Sequence, residues 1–457
     1  MKTAIFVKDR SFYKTIVRLS IPAAFQALIS LLVNMADNVM VSQYSALALA
    51  PVSQANSVST FVTAALTGLG NGAVVLISQY WGKRDTAAAK KITAVAVSLC
   101  LLFALLMVGL IQIFPHAVIS LVLDPGQTEL MPIALSYLRI ACLSFLPLAV
   151  TSALVGALKG VEVVKVTLYA TVISLLSNVV LNYLLIFGKL GLPEMGIQGA
   201  ALATVIARFI EVAVVCVYAF RMQKNMDIKP GDLLHHEKWA WRDYFRFGAP
   251  VGLNGSQWAL VGLLKMAMIG HLGQTMMTSM NITEAMMNLG TMFTFALAGG
   301  ACVVVGKAVG KGDYDTVRQY SVTIQVMFAL IGIFMALVVI VLRHFFIGLY
   351  DQTADVESLA STLIVIGALT LIGTSYHASC FKGINQGAGD SRFVMTVDLI
   401  CGWLVVLPLT YLGAFVFHWP LPIVYLCSRI GNFILKRGAL VDIHAVGTKF
   451  AYVKYSA

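Results

Sequence analysis

SIPAAFQALISLLVNMADNVMVSQY, residues 20–44, is a long apolar run with a proline near its start, Pro22, and a single carboxylate inside it, Asp37. At a rise of about 1.5 Å per helical residue the two positions stand roughly 22 Å apart, so a membrane helix starting at Pro22 carries Asp37 well into the hydrocarbon. An acid is costly there and is seldom kept unless it faces a cavity, a partner or an ion path. Asp37 is therefore the leading functional residue.

The rest of the chain has the same character. Hydrophobic residues make up 59% of it and charged residues 12%, far from the balance of a soluble protein. The reading is all-α, a polytopic membrane protein. A net charge of +11 would suit a nucleic-acid binder only if the basic residues shared one accessible face. They fall instead in short clusters between apolar runs, as orientation signals do, and no nucleic-acid partner is expected. The seven cysteines, Cys100, Cys142, Cys216, Cys302, Cys380, Cys401 and Cys427, are an odd count with no CxxC pair, which argues against disulfides and a zinc site. The opening MKTAIFVKDRSFYKTIV lacks a compact apolar core followed by a cleavage site, so no removable signal peptide is read.

Apolar runs of helical length predict twelve spans near 15–44, 48–79, 87–114, 131–157, 165–187, 196–221, 243–271, 277–307, 317–345, 357–381, 392–416 and 420–437. With the N-terminus inside, 26 of the 32 Lys and Arg fall on the inner side and the outer loops hold only Lys189 and Arg343. One missed helix would invert every later loop, so both termini are placed in the cytoplasm of a cell whose plasma membrane holds the chain. The longest polar stretch, Arg221 to Arg246, contains HHEKWAWRDYFRF and separates two groups of six spans. It reads as a surface-lying linker, giving an N-lobe at 1–220, a linker at 221–242 and a C-lobe at 243–457. His235 and His236 are adjacent and point apart on a helix, so they are read as solvated residues rather than metal ligands.

The two halves are repeats. An offset of 228 carries Pro22 to Pro250, Met40 to Met268, Gly72 to Gly300, Gly82 to Gly310, Lys83 to Lys311 and Asp85 to Asp313; further on, 227 carries Gly160 to Gly387 and Lys165 to Arg392. Six spans is an even number, so the halves share one orientation. Parallel repeats with a site between them are a transporter arrangement.

Several stretches in order resemble the multidrug and toxic compound extrusion (MATE) family: MADNVMVSQYSALALA, GLGNGAVVLISQYWGKRDTAAAKK with its repeat ALAGGACVVVGKAVGKGDYDTVRQ, LSNVVLNYLLIFGKLGLPEMGIQGAALATVIAR, and INQGAGDSR. The resemblance covers nearly the whole chain. It implies two parallel-repeat six-helix lobes, no cofactor and no enzyme activity. The protein would be a monomeric antiporter in the lipid bilayer that uses H⁺ or Na⁺ to expel small, often cationic, amphipathic compounds. Members surround a cation or proton pocket with the acid of span 1, two polar residues spaced by four in span 5 and a Thr of span 6; the matching positions here are Asp37, Asn178, Asn182 and Thr204. Asn178 and Asn182 lie one turn apart on one helix face, and oxygen ligands suit a hard cation. The competing reading is that the two Asn only tie helices together. For Gly68, Gly70 and Gly72 helix packing is the favoured reading.

There are departures. The NorM-like branch has acids in spans 7 and 10, where this chain has Gln257 or Trp258, and Ser375; that favours a DinF-like plan with coupling through the N-lobe acid. Val163 stands where many members have Asp, and Lys436 and Arg437 interrupt the last span, ahead of the tail KRGALVDIHAVGTKF.

Other intramembrane charges get plainer readings. Arg208 and Glu211 are expected to pair, Arg139 and Arg429 to snorkel or bond to carbonyls as readily as to line a cavity. The methionines near 276–292 read as apolar lining before a pliable substrate surface, and His377 as a hydrogen-bonded residue before a titrating one. Pro22 is expected to permit bending of span 1, the alternative being a first-turn position that tolerates proline. The offset that pairs the prolines carries Asp37 to Lys265, and equal depths from the outer side place Lys265 opposite Glu284, predicting an ion pair in the C-lobe.

The competing function within the same superfamily is a lipid-linked oligosaccharide flippase, which would want a more cationic cavity than two scattered arginines provide. No HExxH, GxSxG or interfacial carboxylate pair marks an enzyme, and nothing marks a channel filter.

Overall fold

The first helix, α1 (Arg10–Tyr44), contains one helix breaker, Pro22. In this computed structural model, residues 6–120, 131–223, 226–350 and 352–431 are described. The remaining long helices follow as α2 (Ala46–Gly82), α3 (Thr86–Ile113), α4 (Met131–Gly160), α5 (Lys165–Ile186), α6 (Gly196–Met222), α7 (Ala249–Gly270), α8 (Gln274–Lys311), α9 (Tyr314–Gly348), α10 (Ala354–Ala388), α11 (Ser391–Val416) and α12 (Leu421–Arg429). Among the described residues ten helices are long and apolar enough to cross a membrane. Helix α7 is long enough but less apolar, because Asn254, Ser256, Gln257 and Lys265 lie within it. The final span is described as far as Gly431, and Lys436, Arg437 and the tail lie outside the described residues.

The repeated Gly-Lys-x-Asp turns act as helix caps. Asp85 accepts a hydrogen bond from the Ala88 N–H at 2.9 Å and opens α3; Asp313, its equivalent, accepts from the Thr316 N–H at 3.1 Å and opens α9. Each satisfies a donor that the first turn leaves unpaired. Gly312, at φ 75°, supplies the left-handed residue that closes α8.

Contacts divide the chain into two compact units, Pro22–Ser256 and Met1–Ile21 with Gln257–Ala457. The division at 1–220, 221–242 and 243–457 follows the repeat, whereas the compact units follow packing, and the two differ at the starts of α1 and α7. Glycines show why. A Cβ on Gly72 would stand 2.3 Å from the Gly248 carbonyl oxygen, and one on Gly300 would stand 2.6 Å from Ser20 Oγ. Gly72 and Gly300 are equivalent under the 228 offset, as are Ser20 and Gly248. So α2 packs on the helical lead into α7, and α8 packs on the start of α1, by the same close approach.

Gly70 brings α2 against α4: its Cβ would fall 2.4 Å from the Ser152 carbonyl oxygen, and a Cβ on Gly156 would fall 2.2 Å from the Gly70 carbonyl oxygen. These are backbone atoms that cannot rotate away. Gly70→Ala is expected to cost about 1–3 kcal/mol through forced separation of the two helices. Gly109→Ala in α3, where a Cβ meets nothing within 4 Å, should leave the thermal midpoint in detergent unchanged. Equal midpoints for the two variants would remove the packing role.

Pro22 is the thirteenth residue of α1, so the first-turn alternative does not hold. Proline there withholds the N–H that Arg18 C=O would accept in an unbroken helix, at the position where α1 passes from one compact unit to the other. Pro22→Ala is expected to lower transport severalfold with little loss of thermal midpoint, since the alanine restores one backbone hydrogen bond. Parallel loss of both would assign Pro22 to stability alone.

The linker is clasped to the start of α3. Lys90 lies 3.4 Å from Asp232 and Lys91 3.2 Å from Glu237, and Tyr80 donates to Asp243 at 3.0 Å. Asp232 is held below the usual carboxylate range first by the Lys229 backbone N–H and then by Lys90; Glu237 is held low by the Trp239 indole N–H and by Lys91. Carboxylates depressed in this way stabilise the clasp above their unfolded values and release it as pH falls through the folded ones. His235 Nδ1 meets the Gly231 carbonyl at 2.8 Å and His236 Nε2 meets Ser98 Oγ at 3.2 Å, so the two rings face different partners.

Candidate functional site

Helix α5 carries Thr171, Ser174, Asn178 and Asn182 at steps of three and four, all buried, which puts them on one face. That stripe faces α1 and α6 within the unit Pro22–Ser256. Asn182 Nδ2 donates to Asp37 Oδ1 at 2.5 Å and approaches Asn178 Oδ1 at 3.3 Å; Asn178 Nδ2 in turn donates to Thr204 Oγ1 at 3.4 Å. Thr204 Oγ1 donates to the Ala200 carbonyl of its own helix at 3.1 Å, which leaves its oxygen free to accept. The four residues expected around a cation or proton are thus joined in one run of hydrogen bonds, Asp37–Asn182–Asn178–Thr204. The buried Asn182 Oδ1 has no hydrogen-bond partner among the described residues. An unsatisfied amide oxygen beside a carboxylate is a donor set that suits a hard cation, and the carboxylate alone suits a proton.

Two turns toward the N-terminus of α5, a second polar group adjoins the first. Gln26 Nε2 donates to Thr171 Oγ1 at 2.9 Å, Thr171 Oγ1 to Glu211 Oε1 at 3.4 Å, and Arg208 Nη1 to Glu211 Oε2 at 2.7 Å. The Arg208–Glu211 pair has the three-residue spacing expected of it. The involvement of Gln26 and Thr171 was not anticipated, although the spacing of Thr171, Ser174, Asn178 and Asn182 was available in the sequence.

In the other unit Lys265 Nζ lies 3.4 Å from Glu284 Oε1, and Arg429 Nη2 lies 2.8 Å from the same oxygen. The first contact has the partners proposed from depth. The second brings in a residue for which snorkelling was an equal reading. Gln257, Trp258 and Ser375 are uncharged, and buried Ser375 meets Thr294 Oγ1 at 3.3 Å. A further buried acid, Asp398, escaped the sequence reading; it lies 3.1 Å from His377 Nε2. His377 ends an α-helical stretch where α10 passes into a π-helical turn, and Asp398 stands shortly before a π-helical turn in α11, a feature often found at functional sites. Met276, Met280 and Met287 are buried among apolar neighbours, in keeping with apolar lining.

Comparison with known proteins accords with this architecture. An uncharacterized transporter, YisQ, of Bacillus subtilis (strain 168) is 26% identical over 90% of this chain and 91% of its own length. A probable multidrug resistance protein NorM of Rhizobium meliloti (strain 1021) is 27% identical over 88% and 86%. A solved crystal structure of MATE in complex with MaL6 superposes with a TM-score of 0.85 at 19% identity, covering 97% of this chain and 98% of that one; its fold is the twelve-helix, two-lobe arrangement predicted from the apolar runs. The MatE family model matches twice, at residues 22–184 and 250–412, and the second match begins at Pro250, the repeat partner of Pro22. With more than half its residues matched in two copies of that register, the chain belongs to the MatE family of secondary membrane transporters and is not an enzyme.

Proposed function

We propose that this transporter is a cation-coupled antiporter in which H⁺ or Na⁺ binds at Asp37, Asn178, Asn182 and Thr204 and drives export of small, often cationic, amphipathic compounds by alternating access. What carries the reading is the hydrogen-bonded run Asp37–Asn182–Asn178–Thr204, ending in a carboxylate deep in α1. Binding a cation at Asp37 changes the charge and the hydrogen-bond demand of α1 against α5. Pro22, which lies inside the same continuous helix and withholds one of its backbone hydrogen bonds, is where such a change can bend α1. Both termini are placed in the cytoplasm, as the distribution of Lys and Arg favours, and a single chain of the plasma membrane has both repeats that alternating access uses. The absence of acids at Gln257, Trp258 and Ser375 supports a DinF-like plan with coupling through the N-lobe.

The test is transport in proteoliposomes with a proton or a sodium gradient imposed separately. Gradient-driven movement of an amphipathic dye with one ion and not the other identifies the coupling ion. Movement indifferent to both gradients would overturn the antiporter reading. The flippase alternative would show as translocation of a lipid-linked sugar with no dye movement.

A further inference from the structure

Helix α5 has two opposite stripes. The polar one faces α1 and α6; the other, Tyr169, Ile173, Leu176, Val180 and Tyr183, recurs at steps of four and three and is exposed. Tyrosines near both ends of a span with aliphatic residues between them mark a face that meets lipid, because tyrosine settles at the two membrane interfaces. Beside it α6 exposes Phe209, Ala213 and Val217 at steps of four. Between the start of α5 and the end of α6 these stripes part into a groove of about 630 Å³, lined among others by Lys165, Tyr169, Ala213, Val217 and Met222. Clefts that hold small ligands measure about 300–1,000 Å³. Helix α6 ends at this groove in a π-helical turn, Tyr218–Met222.

Lys165 is the only charged residue among the described lining residues. It is exposed, and among the described residues it has no carboxylate partner. Lys90 and Lys91 on the same side are paired with Asp232 and Glu237, and Arg208 of α6 with Glu211. An unpaired ammonium at the end of a span, one turn from an apolar groove, is complementary to an amphipathic anion whose head lies at the membrane surface and whose tail runs inward.

We propose that the groove between α5 and α6 holds one anionic phospholipid, its phosphate on Lys165 and an acyl chain along Tyr169, Ala213 and Val217, on the side of the membrane where the linker begins. The groove fixes the chain, and the ammonium selects the headgroup by charge. The site lies on the face of α5 opposite Asn178 and Asn182, so it stands whether or not those residues couple an ion.

The experiment places the full chain in nanodiscs of equal parts phosphatidylglycerol and phosphatidylcholine, with a trace of one or the other lipid carrying a diazirine in an acyl chain. After illumination, mass spectrometry reads labelling of the groove peptides relative to the exposed α9 residues Leu330, Phe334 and Leu337, which lie outside the groove. In the wild type this ratio should be about fivefold higher for the phosphatidylglycerol probe, the discrimination one lysine near a membrane surface supplies. Lys165→Met should bring the two probes to within about twofold, and Lys165→Arg should keep the preference. Ala213→Phe, on an exposed stripe, should fill the groove and lower its labelling by both probes. Glycerol 3-phosphate in the buffer should change nothing. Equal ratios in the wild type, a preference that survives in folded Lys165→Met, or groove labelling unchanged in Ala213→Phe would each overturn the proposal. Loss of the preference to glycerol 3-phosphate would also overturn it, by showing a site for soluble phosphate rather than lipid. If Lys165→Met does not fold, the wild-type ratio and the glycerol 3-phosphate competition still decide it.

Discussion

Asp37→Asn should yield a protein that inserts, extracts and melts like the wild type but moves dye under an imposed gradient no faster than protein-free vesicles. The asparagine retains an oxygen to accept from Asn182 Nδ2, which donates to Asp37 Oδ1 in the wild type, so the run through Asn178 to Thr204 has no reason to collapse. What is lost is the charge and the exchangeable proton. A residue that merely tied α1 to α5 would tolerate this change, because a neutral hydrogen bond between helices in a membrane is worth only about 1 kcal/mol and the amide preserves it. Transport at near wild-type rate would end the assignment of coupling to Asp37. With protons as the coupling ion, the wild-type rate should follow pH as a single titrating group; a flat profile with strict sodium dependence would identify Na⁺ instead.

The second large effect is expected at Glu284. Glu284→Lys sets three cations together where Lys265 and Arg429 already meet, and the loss of folded protein should be close to complete. Removing one partner of a buried charged pair typically costs about 3–5 kcal/mol, and reversal adds repulsion to that cost. Lys265→Glu should be milder, because Arg429 remains beside the two carboxylates. The exchanged double variant, Lys265→Glu with Glu284→Lys, should recover part of the folded yield lost in Glu284→Lys. It should not recover all of it, since Arg429 then faces a lysine; adding Arg429→Met should recover more. Folded yield by size-exclusion chromatography of the detergent extract reads all four. A double variant no better than Glu284→Lys alone would mean that Lys265 and Glu284 do not interact as their 3.4 Å separation implies, and would return Glu284 to the list of groups able to carry a proton.

Much of this protein is legible in one dimension because a membrane imposes a one-dimensional rule. Backbone groups in hydrocarbon must be satisfied within their own helix, so each crossing declares itself as an apolar run of fixed length, and the ends of α2, α3, α5 and α11 fall within three residues of their predicted places. The repeat follows from a constant offset, and the double family match beginning at Pro22 and Pro250 has the same offset. Positions along neighbouring helices can be compared by depth alone, which is enough to bring Lys265 opposite Glu284. The four-residue spacing of Asn178 and Asn182 likewise puts both on one face without knowledge of any other helix.

Tertiary structure decided what depth and spacing leave open, namely which helix faces which. Arg429 reaches Glu284 because α12 packs beside α10 and α11, a lateral choice that no apolar pattern encodes. Asp398 meets His377 and Gln26 meets Thr171 for the same reason. The helix starts were also beyond the sequence: α1 up to Ile21 packs with the second half, and the lead into α7 packs with the first. These groupings arise because Gly72 and Gly300 leave room for a backbone or a small side chain at Gly248 and Ser20, and close packing between distant segments is settled by shape in three dimensions.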